Sequence, residues 1–331
     1  MRYRIQLCED LIMKLSFSEV KSITVGSVES YEDASGMHFA KCTKKQVDGF
    51  RAFSETLAVN ATATTGVRLD FHTNSKSFSF GASSGARFEL YINGVFTDYV
   101  LWRGDAEKVF SKAIATGKDE NRITLFFPSH DAPGVLTFVE LDDGATFAPH
   151  VFDCKIFFIG DSITQGWEST YNSLSYANRV SDFFNADSVI QGTGGAFFHE
   201  SIFDPAVDYD PDVAIVAFGT NDWGHFSSHE ELRAAARSFL DSFAKRFAGK
   251  KLFGISPIWR GNTEAPRATG YFSEVCETVK QEILSHGLIL IEGETLTPSI
   301  PDFYSDKYLH PNGLGFGIYA ENLCKILKNY I

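Results

Sequence analysis

The sequence predicts an α/β chain in two parts: an all-β sandwich or jelly roll over residues 1–150, then a three-layer α/β/α fold on a parallel sheet over residues 151–331. A change of pattern at His150 carries this division. Before it, apolar and polar residues alternate in short runs broken by turns, as in "VRLDFHT" (Val67 to Thr73), "FELYI" (Phe88 to Ile92) and "VLTFVEL" (Val135 to Leu141). A period of two with β-branched and aromatic residues marks strands with one buried face. After it, continuous apolar runs alternate with helix-length segments, the pattern of βαβ units whose strands are covered on both faces.

Each element has its own signal. Asn93-Gly94 lies between "ELYI" and "VFTDYV" and predicts a two-residue hairpin, because both turn positions must tolerate positive φ. The buried runs are "KIFFIG", "DVAIVAFG", "KLFGISPI" and "LILIEG", and "QGTGGAFF" (Gln191 to Phe198) follows a further strand. The helices read as "NSLSYANRVSDFF", "EELRAAARSFLDSFAKRFAG", "SEVCETVKQEILSHG" and "GFGIYAENLCKILKNY". Gly249 and Gly287 stand where a glycine just past a helix C-terminus is expected.

Composition narrows the function. With 30 Lys+Arg against 42 Asp+Glu, the 331-residue chain has a formal net charge of -12 and no basic run, so nucleic acid and anionic membranes are poor partners. Cys8, Cys42, Cys154, Cys276 and Cys324 form no C-x-x-C pair and read as reduced, mostly buried thiols. Glu9 and Asp10 interrupt the apolar core a signal peptide would need, and no stretch is apolar enough to span a bilayer. A cytoplasmic protein is expected.

In an open parallel sheet, ligands meet the carboxyl ends of the strands. Small and polar residues collect there: Gly160-Asp161-Ser162, the "GTGGA" turn, "GTNDW" (Gly219 to Trp223), "SPIWRG" (Ser256 to Gly261) and, near the chain end, "SDKYLHPN" (Ser305 to Asn312). Acyl transfer needs a hydroxyl nucleophile, an imidazole to take its proton, a carboxylate to orient the imidazole, and N–H donors around the oxyanion. Ser162, His310 and Asp306 supply the first three. Asn221 offers a side-chain amide, and Gly195 a backbone N–H that a substrate carbonyl can approach closely. Gly192, Gly194 and Gly195 all lie in that turn.

These blocks resemble those of the SGNH hydrolases, the GDSL-type esterases and lipases. The G-D-S-[LI]-[TS] block is matched by Gly160 to Thr164, the oxyanion glycine by Gly195, G-x-N-D by Gly219 to Asp222, and D-x-x-H-P is approached by "DKYLHPN". The resemblance runs from Cys154 to about Gly313 and implies a flavodoxin-like catalytic domain, with Ser162, His310 and Asp306 as catalytic residues. It also implies an oxyanion hole of the Ser162 N–H, Gly195 and Asn221, with no metal and no cofactor. One departure stands out: three residues before His310 lies Lys307, whereas Asp306 lies four before. Asp302 or a backbone carbonyl is the alternative orienting group.

Other readings compete. Asp161 and Ser162 are also helix-cap types. His225 and His229 have an i,i+4 spacing without the glutamate of H-E-x-x-H, and "GTGGA" lacks the spacing of a nucleotide-binding loop. "GDSIT" is not G-x-S-x-G, since Thr164 replaces its second glycine. Asp161, Trp223 and Trp259 are expected to contact substrate, the indoles as walls, whereas Phe197 and Phe198 read equally as core. Resemblance to sandwich-bearing members of the family implies a short-chain acyl ester, acetyl first, of a carbohydrate. The alternative is a non-catalytic carbohydrate-binding protein with a remnant hydrolase domain.

Overall fold

A computed structural model describes residues 12–85, 87–101, 108–130 and 132–331. Cys8 and the charged start of the chain lie outside these residues. Between Ile12 and Pro149 two antiparallel sheets face each other. One has the spatial order Glu29–Asp33, Gly36–Ala40, Val135–Asp142, Ser77–Ser84, Lys108–Ala113, with Ile12–Lys14 also paired to Val135–Asp142. The other runs Phe147–Pro149, Arg68–Thr73, Asn121–Phe126, Arg87–Ile92, Val95–Leu101, with Thr24–Val25 on Arg68–Thr73. Inward residues of both, among them Phe71, Phe78, Phe80, Phe88, Leu125 and Val139, form a single core, as aligned sheet packing requires. Asn93 (φ 53°) and Gly94 (φ 76°) make the expected hairpin turn.

This region is not purely β. Besides a short helix at Phe17–Ser22, helices span Lys44–Arg51 and Glu55–Thr62. The first of this pair starts at a reciprocal Thr43/Gln46 capping box and the second at a Ser54 cap. Gly49 lets the first lie against the chain at Ser201, since a Cβ there would sit 2.2 Å from the Ser201 carbonyl oxygen.

The second region is built on five parallel strands: β1 (Cys154–Gly160), β2 (Ala186–Gly192), β3 (Val213–Ala217), β4 (Lys251–Ile255) and β5 (Ile289–Ile291). Their order is β2-β1-β3-β4-β5, the flavodoxin-like arrangement with its switch point beside β1. Side chains of β1 alternate between two cores. Phe157 and Ile159 pack with helices His229–Arg246 and Phe272–Ser285, while Ile156 and Phe158 pack with Tyr176–Phe183 and Gly313–Leu327. Three layers result, with Gly249 and Gly287 in left-handed conformation just beyond their helices. Among the described residues no helix is long and apolar enough to cross a membrane.

The two regions share a packed, hydrogen-bonded boundary. Cys42, Phe50 and Ala61 join the core that holds Phe198, Ile202 and Phe203. Gln46 donates to the Gln191 side chain at 2.8 Å, and Thr43 to Asp204 at 2.9 Å. The fully buried Lys41 ammonium donates to the carbonyls of Asn60 (3.0 Å) and Gly192 (2.7 Å) and to the Thr65 hydroxyl (2.9 Å). Burial lowers its pKa to about 8, the cost of holding a cation away from water on neutral acceptors.

Candidate active site

Ser162 leaves β1 at the first position of a one-turn helix, Ser162–Gln165. Amides there have no intrahelical acceptor, so the Ser162 N–H is available to a ligand. The cap is Asp161, which accepts from Ile163 N at 2.9 Å. The hydroxyl of Ser162 is thereby spared for another partner.

That partner is His310, whose Nε2 lies 2.9 Å from Ser162 Oγ. On its other side, His310 Nδ1 is 2.7 Å from Asp306 Oδ2. Asp306 Oδ1 accepts three backbone N–H groups, from Tyr308 (3.0 Å), Leu309 (2.8 Å) and His310 (3.1 Å). Burial raises the Asp306 pKa, but these amides and the imidazole outweigh it and hold the carboxyl below its ordinary value. An ionised carboxylate at Nδ1 selects the tautomer with its proton there, which leaves the Nε2 lone pair to accept from Ser162.

The extra residue between Asp306 and His310 is accommodated by Lys307 at φ 69°. This left-handed step folds the loop back so that one carboxylate reaches both the imidazole and three successive amides. Asp302 is engaged elsewhere, 3.0 Å from the Lys307 ammonium and exposed.

Gly195 is exposed in the turn after β2 and has φ 84°. A Cβ on it would come 2.9 Å from Leu57 Cδ2, so glycine answers both the conformation and the neighbour. Asn221 Nδ2 donates to the Ala196 carbonyl at 2.9 Å. This ties the loop after β3 to the glycine turn and leaves its second amide hydrogen free. Beneath them Asp222 accepts from Phe198 N and Gly219 N, both at 2.9 Å. Burial pushes the Asp161 and Asp222 carboxyls up to about 7, and the nearby Asp222 charge adds to the shift at Asp161.

The expected substrate contacts fall differently. Asp161 is 3 % exposed and works as a cap. Trp223, expected as a wall, is 1 % exposed; its indole N–H donates to the Gly270 carbonyl, and its ring lies 3.9 Å from the Arg267 and 5.1 Å from the Arg260 guanidinium. It serves as core because Arg260 and Arg267 cover it. Trp259 is half-buried, 4.7 Å from the Tyr304 ring. Phe197 and Phe198 are buried.

An indole that borders an open space is Trp167. A cleft of about 540 Å³ runs between the two regions, lined by Arg87, Ser129 and His130 on one side and by Trp167 and Ser305 on the other. Sequence reading missed Trp167 because half of this cleft comes from the other region. Its signal was position alone, one residue after the glycine that closes "GDSITQG".

His225 and His229 do not converge. His225 stacks on Phe197 at 3.4 Å, while His229 bonds to the Thr269 carbonyl and the Thr278 hydroxyl. Among the described residues no group of three or more His, Cys, Asp or Glu could hold a metal ion.

No curated protein matches the sequence. The chain is similar in structure to the salicylyl-acyltransferase SsfX3 of a tetracycline biosynthetic pathway, with 17% identity, TM-score 0.75, and coverage of 96% of this chain and 97% of that one. It is also similar to an acetyl xylan esterase from the rumen bacterium Butyrivibrio proteoclasticus, with 16% identity, TM-score 0.67, and coverage of 96% and 98%. A family two carbohydrate esterase from Clostridium thermocellum, solved with cellohexaose, has 17% identity, TM-score 0.63, and coverage of 80% of this chain and 92% of its own. Residues 158–318 match the GDSL-like lipase/acylhydrolase family. That span holds Ser162, Gly195, Asn221, Asp306 and His310, and it is a GDSL-like lipase/acylhydrolase domain, the domain of an esterase.

Proposed function

We propose that the protein hydrolyses short-chain acyl esters, acetyl esters of carbohydrates first, with Ser162 as nucleophile. The observation that carries this reading is the continuous chain from Ser162 Oγ through His310 to Asp306, at 2.9 and 2.7 Å. His310 Nε2 takes the hydroxyl proton as Oγ attacks the ester carbonyl. The oxyanion is held by the N–H groups of Ser162 and Gly195 and by the free amide hydrogen of Asn221. The carbonyl then re-forms, the C–O bond to the alcohol breaks, and His310 returns the proton to the leaving oxygen. Water releases the acyl group through the same base.

The alcohol side is read from the cleft. Trp167 offers an apolar face, and Arg87 and Ser305 offer hydrogen bonds, a mixture suited to a sugar ring. Two of the proteins of similar fold named above are described as an acetyl xylan esterase and a family two carbohydrate esterase, which supports this substrate class.

Ser162→Ala tests the reading directly. Turnover of p-nitrophenyl acetate and of acetylated xylo-oligosaccharides should fall by about 10⁴-fold or more, and covalent labelling by a fluorophosphonate should vanish. Full turnover in the variant would refute it. An unlabelled parent protein that still binds the deacetylated sugars would favour the binding-module reading instead.

A further inference from the structure

We infer that Asn60, in the antiparallel region, is a positioning residue for the oxyanion hole. It orients the Gly195 N–H by gripping the other end of the same peptide unit. This inference rests on the esterase reading of Ser162 and Gly195.

Peptide units are planar and trans, so the carbonyl of Gly194 and the N–H of Gly195 point in opposite directions from one rigid plate. Fixing the carbonyl fixes the direction of the N–H. Asn60 Nδ2 donates to that carbonyl at 2.9 Å. The preceding plate is held as well, because Gly194 N donates to Gln165 Oε1 at 2.5 Å. Gln165 is itself locked: its oxygen also accepts from Trp167 Nε1 at 3.0 Å, and its nitrogen donates to the Ser129 carbonyl at 2.8 Å.

A clamp is needed here because the turn has little stiffness of its own. Gly194 and Gly195 are adjacent glycines, the residue type with the widest choice of backbone conformation. Gly194 has no alternative, since a Cβ would sit 2.6 Å from Trp167 Nε1 and 3.0 Å from Asn60 Nδ2. The grip on Asn60 continues outward, for its own carbonyl accepts from the buried Lys41 ammonium, which also holds the Gly192 carbonyl. A hydrogen bond to the Gly194 carbonyl also polarises the plate and strengthens its N–H as a donor.

The test uses the full chain with Asn60→Asp, which keeps the shape but removes the donor, and Asn60→Ala, which removes it without adding charge. Both should lower kcat on p-nitrophenyl acetate by about 10- to 100-fold, below the cost of deleting an oxyanion donor outright, with KM within about twofold. Hydrogen exchange read by mass spectrometry should quicken across residues 190–198 and stay unchanged in the peptides of β4 and β5. Exchange needs no turnover, so it decides the clamp even if Ser162→Ala shows the esterase reading to be wrong. Unchanged exchange at 190–198, or a kcat loss confined to Asn60→Asp, would overturn the inference.

Discussion

In the parallel sheet the strands hand a backbone turn to a helix or helical turn, whereas in the two antiparallel sheets strands such as Arg87–Ile92 turn straight into the next strand. A turn that opens a helix presents unbonded N–H groups and a capped, directed side chain. A two-residue hairpin such as Asn93-Gly94 spends its polar groups on its own ladder. Ser162, Gly195 and Asn221 accordingly sit at strand ends of the second region. The first region reaches the glycine turn through the connection that carries Leu57 and Asn60, and it lines one side of the cleft beside Trp167 with Arg87 and His130. On the proposed reading, one region does the chemistry directly and the other acts on its geometry.

The largest effects should come from the direct side. Asp306→Asn should lower kcat by about 10⁴-fold while leaving the fold intact, because an amide at Nδ1 no longer enforces the proton placement that frees Nε2. Steady-state rates with circular dichroism check this, and a loss below tenfold would remove Asp306 from the machinery. Asn221→Ala comes next, with a loss of about 10²- to 10³-fold in kcat. A change in KM alone would assign Asn221 to ground-state binding instead.

The smallest effect concerns support beneath the direct side and is read as stability. Asp161 titrates near 3.9 in the unfolded chain and is pushed to about 7 by burial in the fold. A raised carboxyl contributes stability below the unfolded value and loses it as pH rises through the folded value. Asp161→Asn keeps an acceptor for the Ile163 N–H and has no charge to bury. The thermal midpoints of parent and variant should therefore diverge from pH 5 to pH 8, the parent falling behind, and parallel profiles would show that Asp161 is not buried as a carboxyl.

Much of the second region was legible because its strands and helices are long and strongly patterned and its four motif blocks lie where a parallel sheet gathers them. The helices Lys44–Arg51 and Glu55–Thr62 were not. Each has eight residues; the first contains Gly49 and only two large apolar side chains, Val47 and Phe50, and the second buries only Ala58 and Ala61, so the apolar stripe of each is short. The Thr43/Gln46 capping box was the available sign. Trp223 was misplaced because its burial depends on Arg260 and Arg267 from a distant loop, and a neighbour's cover cannot be read from local spacing. The clamp on Gly194 was invisible for the same reason, since Asn60 stands 134 positions away in the chain.

Lys307 has a consequence for how such sites change over time. A single left-handed residue takes up one position of slack between base and carboxylate, so the chain lengthens there while the imidazole stays in place. Two sites that differ by one residue at this point would superpose in space although their sequences would no longer align there. A search keyed to distances between atoms would group them, and one keyed to counting residues would divide them.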